Sequence, residues 1–276
     1  MKQRPRPLVM GVLNATPDSF SDTGREATPP DAAALIARGL RLIEEGADII
    51  DIGGESTRPG AQPVSARDEL KRVLPVLIGL RGRVRLSIDT TKPEVAAAAA
   101  DAGATILNDV SGLRQDQMAV LSARFETTVV MHMRGDPRTM ARLTAYDDLL
   151  HEVRSTLRAA ADRARSPAVW IDPGVGFAKD TRQNLWLLHH IDELCALGLP
   201  VLVGLSRKRF IGDVLQLADP ADRISGSLGA AAAAYHRGAH IFRVHDVRQS
   251  RHLLDMLWAI DTAQADNRAG SGPASG

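Results

Sequence analysis

Short apolar runs rich in valine and isoleucine recur along the chain, and a longer segment follows most of them. A run that is apolar at nearly every position indicates a strand buried on both faces, which is typical of a parallel sheet. The pattern therefore predicts parallel strands at residues 8–14, 49–53, 85–89, 105–110, 127–132, 168–172, 200–205 and 240–245.

The longer segments carry the start and stop signals of helices. Asp31 is placed to cap the first helix and Gly46 to end it. Pro93 suits the first turn of a later helix, which Gly103 ends. The apolar face predicted for the first helix consists of Leu35, Ile36, Leu40 and Ile43.

Eight strand–helix units fit a single α/β domain, a closed (β/α)8 or TIM barrel. The alternative is an open doubly wound sheet, which usually has fewer strands. A nucleotide-binding sheet of that kind has a glycine-rich turn after its first strand. Here the first strand runs into Asn14 and Ala15 with no such turn, so the barrel is favoured. We expect residues 1–264 to form the barrel and residues 265–276, which are rich in Gly, Ser and Ala, to be a disordered tail.

Composition narrows the possible partners. The chain has 276 residues, and 34 Lys and Arg against 33 Asp and Glu leave a net charge of +1, so no broad basic field favours nucleic acid. No apolar run approaches the roughly 20 residues of a membrane span. A single cysteine, Cys195, cannot form an internal disulfide or a zinc site built on several cysteines. We therefore expect a cytoplasmic protein with neither nucleic-acid nor membrane partners.

Polar residues end every predicted strand. In (β/α)8 barrels the active site lies at these carboxyl ends, so the pattern predicts a ring of site residues. Two members stay ambiguous, because Asp109 also suits a helix cap and His132 also suits a structural role. Arg207 and Arg209 are typical of solvated or paired surface groups. The strand ends are Asn14, 53–58, Asp89 with Thr90, Asn108 with Asp109, 131–133, Asp172, 206–208 and 243–246.

The chemistry of this ring divides into two parts. Asp89, Asn108 and Asp172 offer carboxylates and an amide, which suit a flat heterocycle with several N–H donors and a carbonyl. Lys208 could donate to the same ring. Three groups that are cationic, or can become so, suit a phosphate or diphosphate, and they are Arg58, Arg243 and His245. Asn14 is a neutral oxygen ligand suited to Mg²⁺ shared with phosphate oxygens.

Eight blocks along the chain resemble dihydropteroate synthases of folate biosynthesis. They are LNATPDSFSD (13–22), GGESTRPGA (53–61), SIDT (87–90), LNDVSG (107–112), MHMRGDPRTM (131–140), IDPGVGFAKD (171–180), VGLSRKRFIGD (203–213) and RVHDV (243–247). The resemblance implies a (β/α)8 barrel, usually a homodimer. It also implies a transferase that condenses 6-hydroxymethyl-7,8-dihydropterin diphosphate with 4-aminobenzoate to give 7,8-dihydropteroate and diphosphate, with sulfonamides competing for the aminobenzoate site.

The resemblance also implies a role for each matched residue. The pterin-binding set is Asp89, Asn108, Asp172 and Lys208, with Met131, Phe177 and Gly204 shaping the slot. The set for diphosphate is Asn14, Arg58, Arg243 and His245, with Asn14 also on Mg²⁺. The aminobenzoate side consists of Phe20, Thr57, Arg58, Pro59 and Ser206. Lys208, Arg243, Asp89 and the loop residue Asp22 are the implied catalytic groups.

The chain departs from the common family pattern at Ala15, Thr23 and Arg134, none of which is a proposed catalytic group. Two other functions stay open. One is a pterin-dependent methyltransferase linked to cobalamin, which shares the barrel but is not expected to carry the PDSFSD, STRPG and SRK stretches. The other is a paralogue that binds pterin without turnover, which should have lost a loop or phosphate-site residue.

Overall fold

The structure, a computed structural model, describes residues 4–16, 31–58 and 60–269, with side chains as far as residue 263. Its eight strands all run parallel to their neighbours in one sheet. The strands are β1 (Leu8–Asn14), β2 (Ile49–Gly53), β3 (Arg85–Asp89), β4 (Ile106–Asp109), β5 (Thr127–Met131), β6 (Ala168–Asp172), β7 (Leu202–Gly204) and β8 (Ile241–Val244).

The sheet closes on itself. Strand order runs from β6 through β1 to β8 and β7. The two ends meet where Ile171 pairs with Val201 in a parallel bridge, and the Ile171 N–H donates to the carbonyl of Pro200 at 3.0 Å. The predicted (β/α)8 barrel is therefore confirmed.

Helices surround the barrel on its outer face. They are α1 (Ala32–Glu44), α2 (Ala66–Leu80), α3 (Pro93–Ala102), α4 (Asp116–Leu121), α5 (Leu149–Arg163), α6 (Thr181–His189), α7 (Ile191–Cys195), α8 (Arg209–Leu215), α9 (Ile224–His236) and α10 (Val247–Ala269). Several begin at side-chain caps: Asp180 and Gln183 form a reciprocal capping box at the start of α6. None of the helices in the described ranges is long and apolar enough to cross a membrane.

The barrel interior is apolar at its amino-terminal end and polar at its carboxyl end. A floor of buried side chains fills the lower part, and its members are Met10, Ile49, Ile106, Val129, Trp170, Leu202 and Ile241. Side chains alternate between the two faces of a strand, so the positions two residues further along also face inward. Those positions carry Val12, Asp51, Asn108, Met131, Asp172, Gly204 and Arg243, of which four are polar or charged. The functional groups therefore stand on an apolar floor.

Some sequence predictions differ from the structure or fall outside it. Leu40 was placed on the buried face of α1, but it is 38% exposed and Leu42 is buried in its place. The last helix continues to Ala269, past the boundary predicted at 264. The predicted loop residues Phe20, Asp22, Thr23 and Pro59, and residues 270–276 of the predicted tail, lie outside the described residues.

Candidate active site

Four adjacent strands place their polar ends in one row. The register aligns Asn14 with Gly53, Gly53 with Asp89, and Asp89 with Asn108. Gly53 leaves space in the row, because a Cβ atom there would lie 3.7 Å from Asp89 Oδ2 and 3.8 Å from Asn14 Oδ1. The oxygens of Asn14 and Asp89 therefore face each other across a residue without a side chain.

Arg243 crosses the barrel from β8 to this row. Its Nε donates to Asp51 Oδ2 at 2.6 Å, and its Nη2 donates to Asp89 Oδ2 at 2.8 Å. Asn108 Nδ2 donates to the same oxygen of Asp51 at 3.1 Å. Burial raises the pKa of Asp89 to about 7, although the nearby Arg243 charge opposes the shift. Asp89 Oδ1 is buried and has no hydrogen-bond partner among the described residues, which leaves an acceptor for a ligand.

Asp172 and Lys208 form the opposite side of the site. Asp172 Oδ1 accepts the Gly174 N–H at 2.7 Å, and burial raises the pKa of this carboxyl while Lys208 opposes the shift. The Lys208 ammonium donates to the carbonyl of Val175 and lies 4.8 Å from the centre of the Phe177 ring. Burial lowers the pKa of Lys208 to about 8. A lysine, a carboxyl group and an aromatic face thus border one slot.

A second lysine, Lys179, lies beneath the loop that follows β6 and carries Gly174, Val175 and Phe177. Lys179 is 8% exposed, and its ammonium contacts His132 Nδ1 at 3.0 Å and the carbonyls of Gly174 and Phe177 at 3.1 and 3.0 Å. Burial lowers the pKa of Lys179 to about 7, although the Asp172 charge opposes the shift. Burial and the Lys179 charge together lower the pKa of His132 to about 3, so this imidazole is neutral.

Cationic groups line the rim next to β8. The backbone N–H of His245 donates to Ser206 Oγ at 3.2 Å, which places these two residues side by side. Burial lowers the pKa of His245 to about 3, and the charges of Arg243, Arg207 and Arg58 act in the same direction. The lowered pKa favours the neutral imidazole of His245 in the free protein. Arg58 itself is exposed.

The loop that carries Thr57 and Arg58 is anchored from below. The Lys92 ammonium donates to Glu55 and to the fully buried Glu69. Arg72 donates to the carbonyl of Gly54 at 2.8 Å. These bonds fix the base of the loop, while Arg58 at its far end stays exposed.

The donor set indicates the chemistry of the site. Carboxyl and amide groups over an apolar floor suit a flat heterocycle with N–H donors, and the arginine-rich rim suits an anion. Among the described residues no group of three or more His, Cys, Asp or Glu side chains could hold a metal ion by itself. Asn14 Oδ1 could supply one oxygen ligand to Mg²⁺, and the other ligands would then have to come from a bound phosphate and water.

Residues 10–245 match the family described as pterin binding enzyme. Dihydropteroate synthase of Synechocystis is 45% identical over 265 residues, which cover 92% of this chain and 91% of the relative. The chain belongs to the dihydropteroate synthase family.

Two solved structures of the family superpose closely on this chain. The enzyme of Xanthomonas albilineans with 4-aminobenzoic acid has a TM-score of 0.81 at 46% identity and covers 92% of this chain and 93% of its own. The enzyme of Thermus thermophilus with 6HMPPP has a TM-score of 0.78 at 42% identity, with the same coverage.

Most of the site residues predicted from the sequence lie together at the carboxyl end of the barrel. Met131 is buried beside Phe177 in a small apolar cluster, and Gly204 lies under Lys208, whose Nζ would be 3.6 Å from a Cβ atom there. Asp109 stays outside the ring: its carboxylate accepts the N–H groups of Ser111 and Leu113, which fixes the following turn. The ambiguous Asp109 is therefore a local cap.

The structure adds two residues that the sequence analysis missed. Asp51 lies in the middle of β2 between Ile50 and Ile52, whereas only strand ends were considered. The sequence feature that could have identified Asp51 is a charged residue within an otherwise apolar strand, on the same face as Gly53. Lys179 follows the loop after β6, and a buried ammonium there has no signature in the sequence.

Proposed function

We propose that the protein condenses 6-hydroxymethyl-7,8-dihydropterin diphosphate with 4-aminobenzoate, giving 7,8-dihydropteroate and diphosphate. The observation that carries this proposal is that Asp89, Asn108, Asp172 and Lys208 lie together at the carboxyl end of the barrel, with Arg243 and His245 beside them. The relatives whose solved structures hold 4-aminobenzoate and 6HMPPP share this fold at more than 40% identity.

The pterin ring would lie on the apolar floor between the two carboxyl groups. Asp172 and Asp89 accept ring N–H groups, and Asn108, already oriented by its bond to Asp51, presents its amide oxygen or nitrogen. Lys208 exchanges its bond to the Val175 carbonyl for one to the ring. These groups position the substrate so that its exocyclic carbon faces the rim.

The diphosphate would lie toward Arg58, Arg243 and His245. Arg243 is held rigidly by two carboxylates, so its remaining N–H groups need no reorganisation when the anion binds. We propose that Asn14 would help to hold Mg²⁺ beside the diphosphate, where the ion would supply positive charge that stabilises the leaving group. His245, neutral in the free protein, can donate or accept a hydrogen bond at the phosphate.

We propose that the carbon–oxygen bond to diphosphate breaks before the new bond forms. The electron-rich dihydropterin stabilises positive charge on its exocyclic carbon. The neutral amine of aminobenzoate forms the new carbon–nitrogen bond, and its surplus proton passes to water or to the departing diphosphate, so the site needs no strong general base for the attack. Thr57, Arg58 and Ser206 border the side from which the amine would approach, and catalysis comes mainly from positioning and electrostatics.

We further propose that the protein is a homodimer. Helices α6 and α8 pack against each other, and each exposes a large apolar side chain: Trp186 is 41% exposed and Val214 is 52% exposed. Exposed apolar side chains on adjacent helices support a protein interface on this side of the barrel. In sedimentation experiments Val214→Glu should yield monomers, whereas Val120→Glu, at an equally exposed position on α4, should not. A dimer unaffected by Val214→Glu would reject this surface.

The half-buried Cys195 and the absence of disulfides in the described chain support a cytoplasmic location.

The reaction is tested by measuring diphosphate release with both substrates, and by identifying 7,8-dihydropteroate in the same mixture. Release should require 4-aminobenzoate, and it should fall when Mg²⁺ is removed by a chelator. A methyltransferase would release no diphosphate, and a paralogue without turnover would bind the pterin only. Either result would reject the proposed function.

A further inference from the structure

The loop after β6 starts directly behind Asp172 and carries Phe177, so it borders two groups of the pterin slot. It has little regular structure of its own, and it passes very close to β5. Gly174 has a φ of +67°, and a Cβ atom there would lie 2.0 Å from the carbonyl oxygen of His132. The backbone N–H and carbonyl groups of so closely packed a loop need hydrogen-bond partners, because a buried carbonyl without a partner costs free energy.

Side chains from four directions fix the backbone of this loop. Lys179 donates to the carbonyls of Gly174 and Phe177. Tyr146 donates to the carbonyl of Ala178 at 2.9 Å, and Asn184 Oδ1 accepts the Gly176 N–H at 2.7 Å. The fourth group is Lys208, on the carbonyl of Val175. Lys208 belongs to the substrate slot, so within residues 174–177 the carbonyls that a side chain fixes independently of the substrate are the two held by Lys179.

Lys179 is itself held in place by β5 and α5. Its third contact is Nδ1 of His132, which has to accept because the ammonium has only donors. His132 Nε2 then faces Glu152 Oε1 at 3.6 Å, and Glu152 pairs with Arg134. Arg134 lies 3.8 Å from the centre of the Tyr146 ring, which closes the ring of contacts back onto the loop.

We propose that Lys179 is a positioning residue for pterin binding: its buried ammonium fixes the loop of residues 174–177 and places a positive charge behind the Asp172 carboxyl, without touching the substrate. The proposal rests on the proposed function and adds to it a residue outside the slot. Its charge matters because the pterin N–H groups bind Asp172 in its ionised form, which the Lys179 charge favours.

Charged side chains from several elements surround Asp172 and Lys179. Asp172 faces Lys208 from the start of α8 and Arg243 from β8, in addition to Lys179. The other charged or titratable groups that face Lys179 are Lys208, Glu152, Arg134 and His132. Removal of the Lys179 charge therefore removes one of three cations near Asp172 and raises the pKa of its carboxyl.

The test is calorimetric titration of the dihydropterin diphosphate into wild type and variants across a range of pH. Lys179→Met should weaken pterin binding about tenfold or more, because two charge-assisted hydrogen bonds to the loop are lost. It should also shift the acid limb of the binding profile to higher pH. Lys179→Gln, which keeps a polar group in the site, should shift this limb in the same direction.

Two control variants separate a positioning role from general destabilisation. Leu254→Ala removes a fully buried side chain of α10 and should lower stability without changing pterin affinity or its pH profile. Lys71→Met removes an exposed lysine and should change neither. Pterin affinity and pH profile equal to wild type in Lys179→Met, or in Lys179→Gln if the methionine variant fails to fold, would overturn the proposal. An equal loss in Leu254→Ala would also overturn it. If the wild type itself binds no pterin, the proposed function fails instead.

Discussion

Replacing Asp51 tests whether the buried ion pair inside the barrel stabilises the protein. Asp51 is fully buried, and its Oδ2 accepts from Arg243 Nε at 2.6 Å and from Asn108 Nδ2 at 3.1 Å. In Asp51→Ala both donors lose their acceptor, and Arg243 keeps Asp89 as its hydrogen-bonded carboxylate, with Asp172 as a further negative charge nearby.

The magnitude follows from this geometry. Removal of one partner of a buried ion pair typically costs about 3–5 kcal/mol. We expect the lower limit, about 3 kcal/mol, because Asp89 still neutralises Arg243 and no longer has a second carboxylate beside it. For a chain of this size the cost corresponds to a decrease in Tm of roughly 6–12 °C. Asp51→Asn keeps the shape and one acceptor, so it should lose less.

The assay is thermal and urea unfolding without substrates, compared with a matched surface pair. Arg154 and Glu193 form an ion pair at 2.8 Å in which both side chains are more than a third exposed. Glu193→Ala should cost less than about 1 kcal/mol. If Asp51→Ala costs no more than Glu193→Ala, the buried pair contributes nothing and the reasoning is refuted.

Other predictions concern the pterin slot and its pH dependence. Lys208→Ala should weaken pterin binding roughly tenfold or more in calorimetry, since a charge-assisted hydrogen bond is lost; unchanged affinity would remove Lys208 from the slot. Gly174→Ala should lower the Tm well beyond Gly82→Ala: both positions have positive φ, but only at Gly174 would the new methyl group clash with a backbone carbonyl, and equal losses would argue against that close contact. Asp89 has a pKa raised from 3.8 to about 7, so the native protein keeps this proton where the unfolded chain has lost it, and the free energy of unfolding should fall between about pH 4 and pH 7. That fall should be smaller in Asp89→Asn, and an identical pH profile would contradict the shift. Aminobenzoate should bind roughly 5- to 150-fold more tightly once pterin and diphosphate are bound, whereas equal affinities would indicate a preformed pocket.

The sequence by itself determined the architecture. Four predicted strands have the observed bounds: Leu8–Asn14, Ile49–Gly53, Arg85–Asp89 and Ala168–Asp172. Each is a largely apolar run, and three of them end at a polar residue while the fourth ends at Gly53. The seventh strand was predicted at 200–205 but spans only Leu202–Gly204. Pro200 has no N–H to give. Val201 forms the bridge to Ile171 that closes the barrel, and its carbonyl accepts the N–H groups of His240 and Ile241, but regular pairing with β8 begins only at Leu202. Hydrophobic pattern fixes where strands lie, and neighbouring strands decide where pairing stops.

The polar ring was also predictable, since parallel strands in a barrel bring their carboxyl ends to one place. Which charges meet there depended on the tertiary structure. Arg243 and Asp51 are 192 residues apart in the chain, and no local pattern couples them. Lys179 likewise becomes a buried ammonium only because β5 places His132 beside the loop after β6. Burial and the charge of groups distant in sequence set the pKa of each residue, so protonation states such as the neutral His245 come from the folded barrel alone.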